Sequence, residues 1–243
     1  MRLNFCLKAL CLTLCLPLLT QAQEKNAVSF SGGYSLPLGK FASEQFSDPE
    51  AGLAGSGIFA QLRYEHKIGR WWGLRLSGNL NINQTNPDPL IEQYSILLPD
   101  PETYSWESTV TQWRLGAILA GPMAYVSLGN IELKGHVQAG YVFAKSPGVT
   151  LMGTSTTGLN SVDAGLPGAS TQAFGYGAGG ALRFRLSEHL RFQITGDWIG
   201  ANTELKDVPT YVKLGDRPPF EGFIDSKRFV TVLNVGLGLV VVF

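Results

Sequence analysis

The feature that most constrains this chain is its final stretch, Phe229-Val230-Thr231-Val232-Leu233-Asn234-Val235-Gly236-Leu237-Gly238-Leu239-Val240-Val241-Val242-Phe243, which alternates with a period of two up to the last residue. Odd positions Phe229, Leu233, Val235, Leu237, Leu239, Val241 and Phe243 form one face that is apolar apart from Thr231, and the even positions mix Asn234, Gly236 and Gly238 with valines. Successive side chains of a strand point to opposite faces. Such a strand sets its apolar face against lipid and its small, partly polar face against a filled lumen. The fold class this predicts is all-β, an antiparallel up-and-down transmembrane β-barrel whose last strand closes on the aromatic Phe243. An edge or core strand of a soluble sandwich would rarely place its final aromatic at the carboxyl terminus.

Seven further segments carry the same period, which makes eight strands. Residues 27–36 set Val28, Phe30, Tyr34 and Leu36 against Ser29, Ser31, Gly33 and Ser35, and residues 57–68 set Ile58, Ala60, Leu62 and Tyr64 against Gln61, Arg63, Glu65 and Lys67. Residues 71–83 turn Trp72, Leu74, Leu76, Leu80 and Ile82 outward and Arg75, Ser77, Asn79, Asn81 and Asn83 inward. A fourth segment, about 109–127, is interrupted by Gly121-Pro122, where a bulge or edge kink is expected because proline cannot donate to a ladder. Residues 131–144, 172–186 and 190–199 complete the set, with Glu132, Lys134, His136 and Gln138, then Gly175, Gly177, Gly179, Arg183 and Arg185, then Arg191, Gln193, Thr195 and Asp197 facing inward. The connections alternate tight turns (68–70, 128–130, 187–189) with long loops (about 37–56, 84–108, 145–171 and 200–228). Short turns belong on the periplasmic side and long loops outside, so both termini are expected to be periplasmic. Tyr141, Phe143, Trp198 and Phe229 then belong to an outer aromatic belt, and Trp72 and Phe243 to an inner one.

An eight-stranded barrel is just wide enough for side chains to fill. The expected lumen set is Arg63, Glu65, Lys67, Arg75, Arg114, Glu132, Lys134, His136, Arg183, Arg185, Arg191 and Asp197, and charges so confined must pair or stay hydrated. A polar plug that holds the strands in register accounts for them. Bases outnumber acids in this set, which alone does not establish an anion conduit. The glycines of the sixth segment leave space for arginines of neighbouring strands, and no helix-forming segment follows them as a nucleotide loop requires.

The amino-terminal end sets the compartment. Arg2 and Lys8 precede an apolar stretch from Ala9 to Leu19 and then Thr20-Gln21-Ala22, the pattern of a secretory signal peptide spanning residues 1–22. Leu14 is the wrong neighbour for Cys15 to be a lipidation site. Cys6, Cys11 and Cys15 all fall in the segment to be removed, so disulfides and Cys-ligated metals are not expected in residues 23–243, a single domain. Removal of Arg2 and Lys8 leaves 17 basic against 19 acidic residues, a net of −2 that suggests no nucleic-acid partner. No stretch is apolar and long enough to span a bilayer as a helix. Export with membrane-grade alternation points to an outer membrane.

Gly33-Tyr34-Ser35-Leu36-Pro37-Leu38-Gly39-Lys40-Phe41, the glycine-rich sixth segment and the terminal Phe243 together resemble the eight-stranded outer-membrane β-barrel family, the OmpA-like and OmpX-like group, and within it the "outer membrane protein beta-barrel domain" branch common in Bacteroidota. The resemblance covers essentially all of residues 23–243. It implies that Phe243 is the signal read by the barrel-assembly machinery, and it implies no family-wide catalytic set. Nothing like a peptidoglycan-binding domain follows.

No catalytic, cofactor or metal set is expected. His66 and His189 fall at short turns, His136 faces the lumen, and no His-x-Ser arrangement exists. Loop carboxylates such as Asp48, Glu50, Asp88, Asp100, Glu102, Asp216, Glu221 and Asp225 read as solvated charges. The outer loops combine rigid proline with apolar residues, as in residues 86–90, 96–106, 208–213 and 217–224, which suits a lid over the barrel mouth or a patch for a partner; residues 153–158 read as a mobile loop. Three functions follow: a structural or interaction barrel in contact with outer-membrane lipid and with an envelope or cell-surface protein, a subunit or assembly factor of an envelope secretion system, or a small passive pore.

Overall fold

Period-two alternation becomes a hydrogen-bonded ladder throughout. The computed structural model describes residues 25–45, 48, 50–96, 104–157 and 161–243. Its strands are β1 (Asn26–Pro37), β2 (Ala54–Lys67), β3 (Trp72–Thr85), β4 (Tyr104–Val110), β5 (Trp113–Leu128), β6 (Ile131–Lys145), β7 (Val149–Ser155), β8 (Val162–Leu166), β9 (Ser170–Arg185), β10 (Leu190–Leu214) and β11 (Phe220–Val242). A 3-10 turn (Gly39–Ala42) follows β1, and helix α1 (Asp88–Ile96) follows β3. The expected signal segment 1–22, residues 97–103 and Gly158 lie outside the described residues.

Eight of these strands form a closed ring, β1-β2-β3-β5-β6-β9-β10-β11, in which β11 pairs with both β10 and β1 and every neighbour is antiparallel. Closure runs from Ala27↔Val242 to Pro37↔Val232, and Asn26 and Phe243 exchange two main-chain hydrogen bonds of 2.9 Å that seal the seam. The period sorts the side chains as the sequence predicts. Phe30 and Leu80 stand 61% and 67% exposed on the outer surface, whereas Ser31, Gln61, Arg63 and Asn81 on the alternate positions are buried. An apolar outer wall around a polar interior is the arrangement of a barrel that crosses a membrane. The turn between β5 and β6 is two residues long, with Gly129 at φ 63°, the left-handed region that glycine enters without a Cβ clash.

Three expectations are corrected. Residues 109–127 are not one strand: Thr109 and Val110 end β4, Thr111 and Gln112 break the chain, and β5 begins at Trp113. The strand then runs through Gly121-Pro122 without a bulge, because the register to β6 is the same on both sides of the gap (Ala120↔Ala139, Met123↔His136) and Pro122 still pairs with Leu74 of β3. Third, most of the long connections are strand. β10 and β11 continue past the barrel as one hairpin up to Val212↔Phe220, with a bulge between Leu205 and Val208 where Asp207 adopts φ 51°. Onto that hairpin pack β8, β7 and β4 in turn, an open sheet of order β11-β10-β8-β7-β4 above the barrel mouth. Gly153, Thr154 and Ser155, expected to be mobile, lie in β7 opposite Trp106, Ser105 and Tyr104.

Candidate functional site

The ladder register decides which charges meet inside the ring. Glu132 on β6 lies directly opposite Arg183 on β9, and Arg183 opposite Gln193 on β10. Glu65 reaches them from β2, four places away around the ring and therefore across the lumen. Arg183 grips it with both fork nitrogens, Nη1 to Oε2 and Nη2 to Oε1 at 2.8 Å each. Lys134 Nζ lies 2.5 Å from Glu65 and 3.1 Å from Glu132, and Glu132 also takes Lys67 at 2.9 Å and Arg191 at 3.3 Å.

A second cluster centres on Asp197. It accepts from Arg75 Nη2 at 3.0 Å, from Thr195 Oγ1 at 2.5 Å, from His136 Nε2 at 2.9 Å and from Arg63 Nη2. Arginine has only donors, so the 2.8 Å contact of Arg75 Nη1 with His136 Nδ1 makes Nδ1 the acceptor and puts the ring proton on Nε2, facing Asp197. His136 is thus a fixed relay between two partners in this network. Gly179 lies between His136 and Asp197 in the register, and a Cβ there would come within 2.8 Å of both side chains. The glycine creates the space the contact needs. β3 and β10 are also four places apart in the ring, so Arg75–Asp197 is a second brace across the full lumen.

Neutral side chains follow along the axis. Asn81 Nδ2 donates to Asn234 Oδ1 at 2.5 Å and to Ser35 Oγ at 2.9 Å, and Ser35 Oγ donates to Asn83 Oδ1 at 3.1 Å. Beyond them the interior becomes apolar: Phe41, Trp113, Leu115, Leu119, Ile199, Val230 and Val232 pack as one buried cluster. Phe41 enters it because the 3-10 turn folds back over the mouth, held by Leu38 N–H to Thr231 O and Gly52 N–H to Lys40 O, both 3.0 Å. Its ring meets Trp113 edge-on at 5.1 Å, and Trp113 Nε1 donates to Gly52 O at 2.9 Å. Above this stopper lies a cavity of about 360 Å³ walled mainly by Leu53, Val149, Leu151, Ala164, Leu205 and Val208.

Arg63, Glu65, Lys67, Arg75, Glu132, Lys134, His136, Arg183, Arg191 and Asp197 therefore meet in the lumen. Arg114 does not. It is exposed on the outer face opposite Lys145 and Ile82, and Trp113 takes the inward position. Arg185 shares the phase of Arg183 but sits exposed at the short-turn rim. Trp72, Tyr141 and Phe143 stand exposed on the outer wall, and Trp198 and Phe229 are half-buried there, each against Tyr176 at 5.4 and 6.3 Å. His66 contacts Asn26 at 2.8 Å near the short-turn end. Lys40 gathers two loop carboxylates, Glu50 at 2.8 Å and Asp48 at 3.8 Å; Asp100 and Glu102 lie outside the described residues. Among the described residues no group of three or more His, Cys, Asp or Glu side chains could hold a metal. Sequence reasoning missed the Phe41–Trp113 stopper, for which the only signal was an isolated aromatic after Leu38-Gly39.

The ring, its apolar wall and its polar interior define the class: an eight-stranded antiparallel membrane β-barrel. No family model matches the sequence, and no curated protein matches it. Among solved structures, the chain is similar to Neisserial surface protein A (7% identity, 90% of this chain and 97% of that one, TM-score 0.47). It is also similar to Ail, the attachment invasion locus protein of Yersinia pestis (16% identity, 90% and 99%, TM-score 0.41), and to the outer membrane protease OmpT from Escherichia coli (7% identity, 90% and 97%, TM-score 0.43).

Proposed function

We propose that this chain is a non-enzymatic integral outer-membrane barrel that engages an envelope or cell-surface protein through the sheet above its mouth. In this reading the short turns and both termini are periplasmic, the open sheet is extracellular, Phe243 serves the assembly machinery, and the outer wall meets lipid. One observation carries it: the β10–β11 hairpin runs beyond the ring to a Pro218-Pro219 tip where Phe220 and Phe223 are 80% and 76% exposed. The pairing of β1 with β11 stops at Val232, and in the ladders β11 from Phe220 to Thr231 has β10 alone as a strand neighbour. Exposed aromatics beside an open strand edge are what strand addition by a partner requires.

A pore is a weaker reading, because the void among Gln61, Asn79, His136 and Gln138 has no room for a water-sized sphere and the Phe41–Trp113 layer lies above it. The test is purification of the tagged barrel from gently solubilised outer membrane, beside a Phe220→Ser/Phe223→Ser variant. The expected result is a near-stoichiometric surface or envelope protein with the parent and its loss with the variant. If that protein is a component of a secretion system, the barrel is a subunit of it. Recovery of the barrel alone in both preparations overturns the proposal.

A further inference from the structure

The cavity above the stopper has the size and lining of a small-molecule site, since such sites run from about 300 to 1,000 Å³ and are mostly apolar with few polar groups. Val149, Leu151, Ala164, Leu205 and Val208, all buried, supply its walls from β7, β8 and β10. Its polar groups are unequal. Asp225 accepts the Asp207 N–H at 2.9 Å, and Asp48 accepts the Glu50 N–H at 2.9 Å and lies 3.8 Å from Lys40. Each carboxylate on the border thus has a partner.

Arg228 has none of opposite charge among the described residues. It lies beyond the last rung between β1 and β11 and borders the cavity, its Nε donates to Ser226 Oγ at 2.9 Å, and its guanidinium stands 6.0 Å over the Trp113 ring. Burial pushes its pKa down. An ionised group half-removed from water is costly without a counter-charge. Its planar fork presents parallel donors that fit a carboxylate.

We propose that this cavity binds a small amphiphile, an apolar body ending in a single carboxylate, with Arg228 holding the carboxylate over Trp113 and the β7–β8–β10 wall covering the chain. Ile224 and Asp225, which border the cavity, are exposed, so it is reachable from the solution above the mouth. One guanidinium matches one negative charge, and the aliphatic wall selects an unbranched or lightly branched tail.

The experiment places the full barrel in nanodiscs of zwitterionic lipid and titrates octanoate labelled with carbon-13 at its carboxyl, with empty discs as the background. Saturable binding above that background is expected. Arg228→Gln should weaken it about tenfold or more, the size of a lost hydrogen bond to a charged group, and Ala164→Trp, which fills the cavity, should abolish it. Octanol labelled at C1 should bind parent and Arg228→Gln alike. Each variant is first checked for the unheated gel mobility of the closed barrel; Leu151→Trp replaces Ala164→Trp, and Arg228→Met replaces Arg228→Gln, if either fails. Octanoate uptake equal to empty discs, affinity unchanged in the Arg228 variant, or binding retained in a filled cavity each overturns the assignment.

Discussion

Asp197→Asn should be among the most destabilising near-isosteric changes in the barrel. Asp197 is buried and holds Arg63 and Arg75 at once, and among the described residues neither guanidinium is paired with a second carboxylate. Arg63 Nε and Nη1 and Arg75 Nε make no protein hydrogen bond, so these cations already have little else to rely on. The lumen charges are also unbalanced among the described residues: Arg63, Lys67, Arg75, Lys134 and Arg183 share Glu65, Glu132 and Asp197. Breaking a buried pair by removing one partner costs about 3–5 kcal/mol. With a urea slope of about 2 kcal/mol per molar, the unfolding midpoint should fall by roughly 2 M. The assay is urea unfolding of the vesicle-inserted barrel, followed by unheated gel mobility and by tryptophan fluorescence.

The sign of the partner variant discriminates further. Arg63→Met leaves Asp197 with Arg75 and His136 and lowers the positive excess, so it should cost clearly less than Asp197→Asn. The pair of substitutions together should cost less than their sum. A midpoint for Asp197→Asn within the range of an ordinary surface substitution, about 0.5 kcal/mol, would refute the picture of a dry, braced lumen.

Three other outcomes are expected. Unboiled and boiled samples should migrate differently on a denaturing gel, because the ladder closes on itself; identical migration of correctly inserted protein contradicts closure. Deleting Phe243 should reduce outer-membrane insertion more than Phe41→Ala does, whereas Phe41→Ala, at a fully buried position, should insert but lose about 3–5 kcal/mol of stability; equal membrane levels of the two would remove the role assigned to the terminus. In planar bilayers the parent should carry no steady current, and a reproducible single-channel conductance would show that the Phe41–Trp113 layer does not seal the lumen.

The parts of the fold legible in sequence are those where alternation separates polar from apolar. Residues 57–67 and 71–83 put arginine, glutamate and asparagine on one phase only, so the inward face could be named residue by residue. β5 defeats that logic. Leu115, Ala117 and Leu119 face in while Ile118 faces out, so both faces are apolar and the only charge nearby, Arg114, suggests the wrong phase. Arg114 sits near the long-connection end of the wall, where a long cationic side chain can carry its head out to the interface. The sheet above the mouth was hidden for a different reason. Pro209, Pro218, Pro219 and the glycines of residues 148–168 read as loop, yet Pro209 sits within the β10–β11 hairpin and pairs with Phe223. Short strands whose pairing is supplied by a neighbouring hairpin carry little period of their own.

The distribution of polarity along the axis connects these parts. The ionic braces occupy the short-turn half, asparagine and serine the middle, and the apolar stopper the mouth, so each step toward the long connections exchanges charge for apolar contact. Two braces between strands four places apart fix the barrel's width from inside, and they can do so only where the lumen is charged. Among the described residues no such brace spans the mouth, and the ring is held there by the Phe41 turn folding inward and by the sheet stacked above it. This division frees the upper half to vary. Changes to the Phe220–Phe223 tip or to the cavity around Arg228 leave every trans-lumen brace untouched, so the binding proposed there can be tested separately from the stability below.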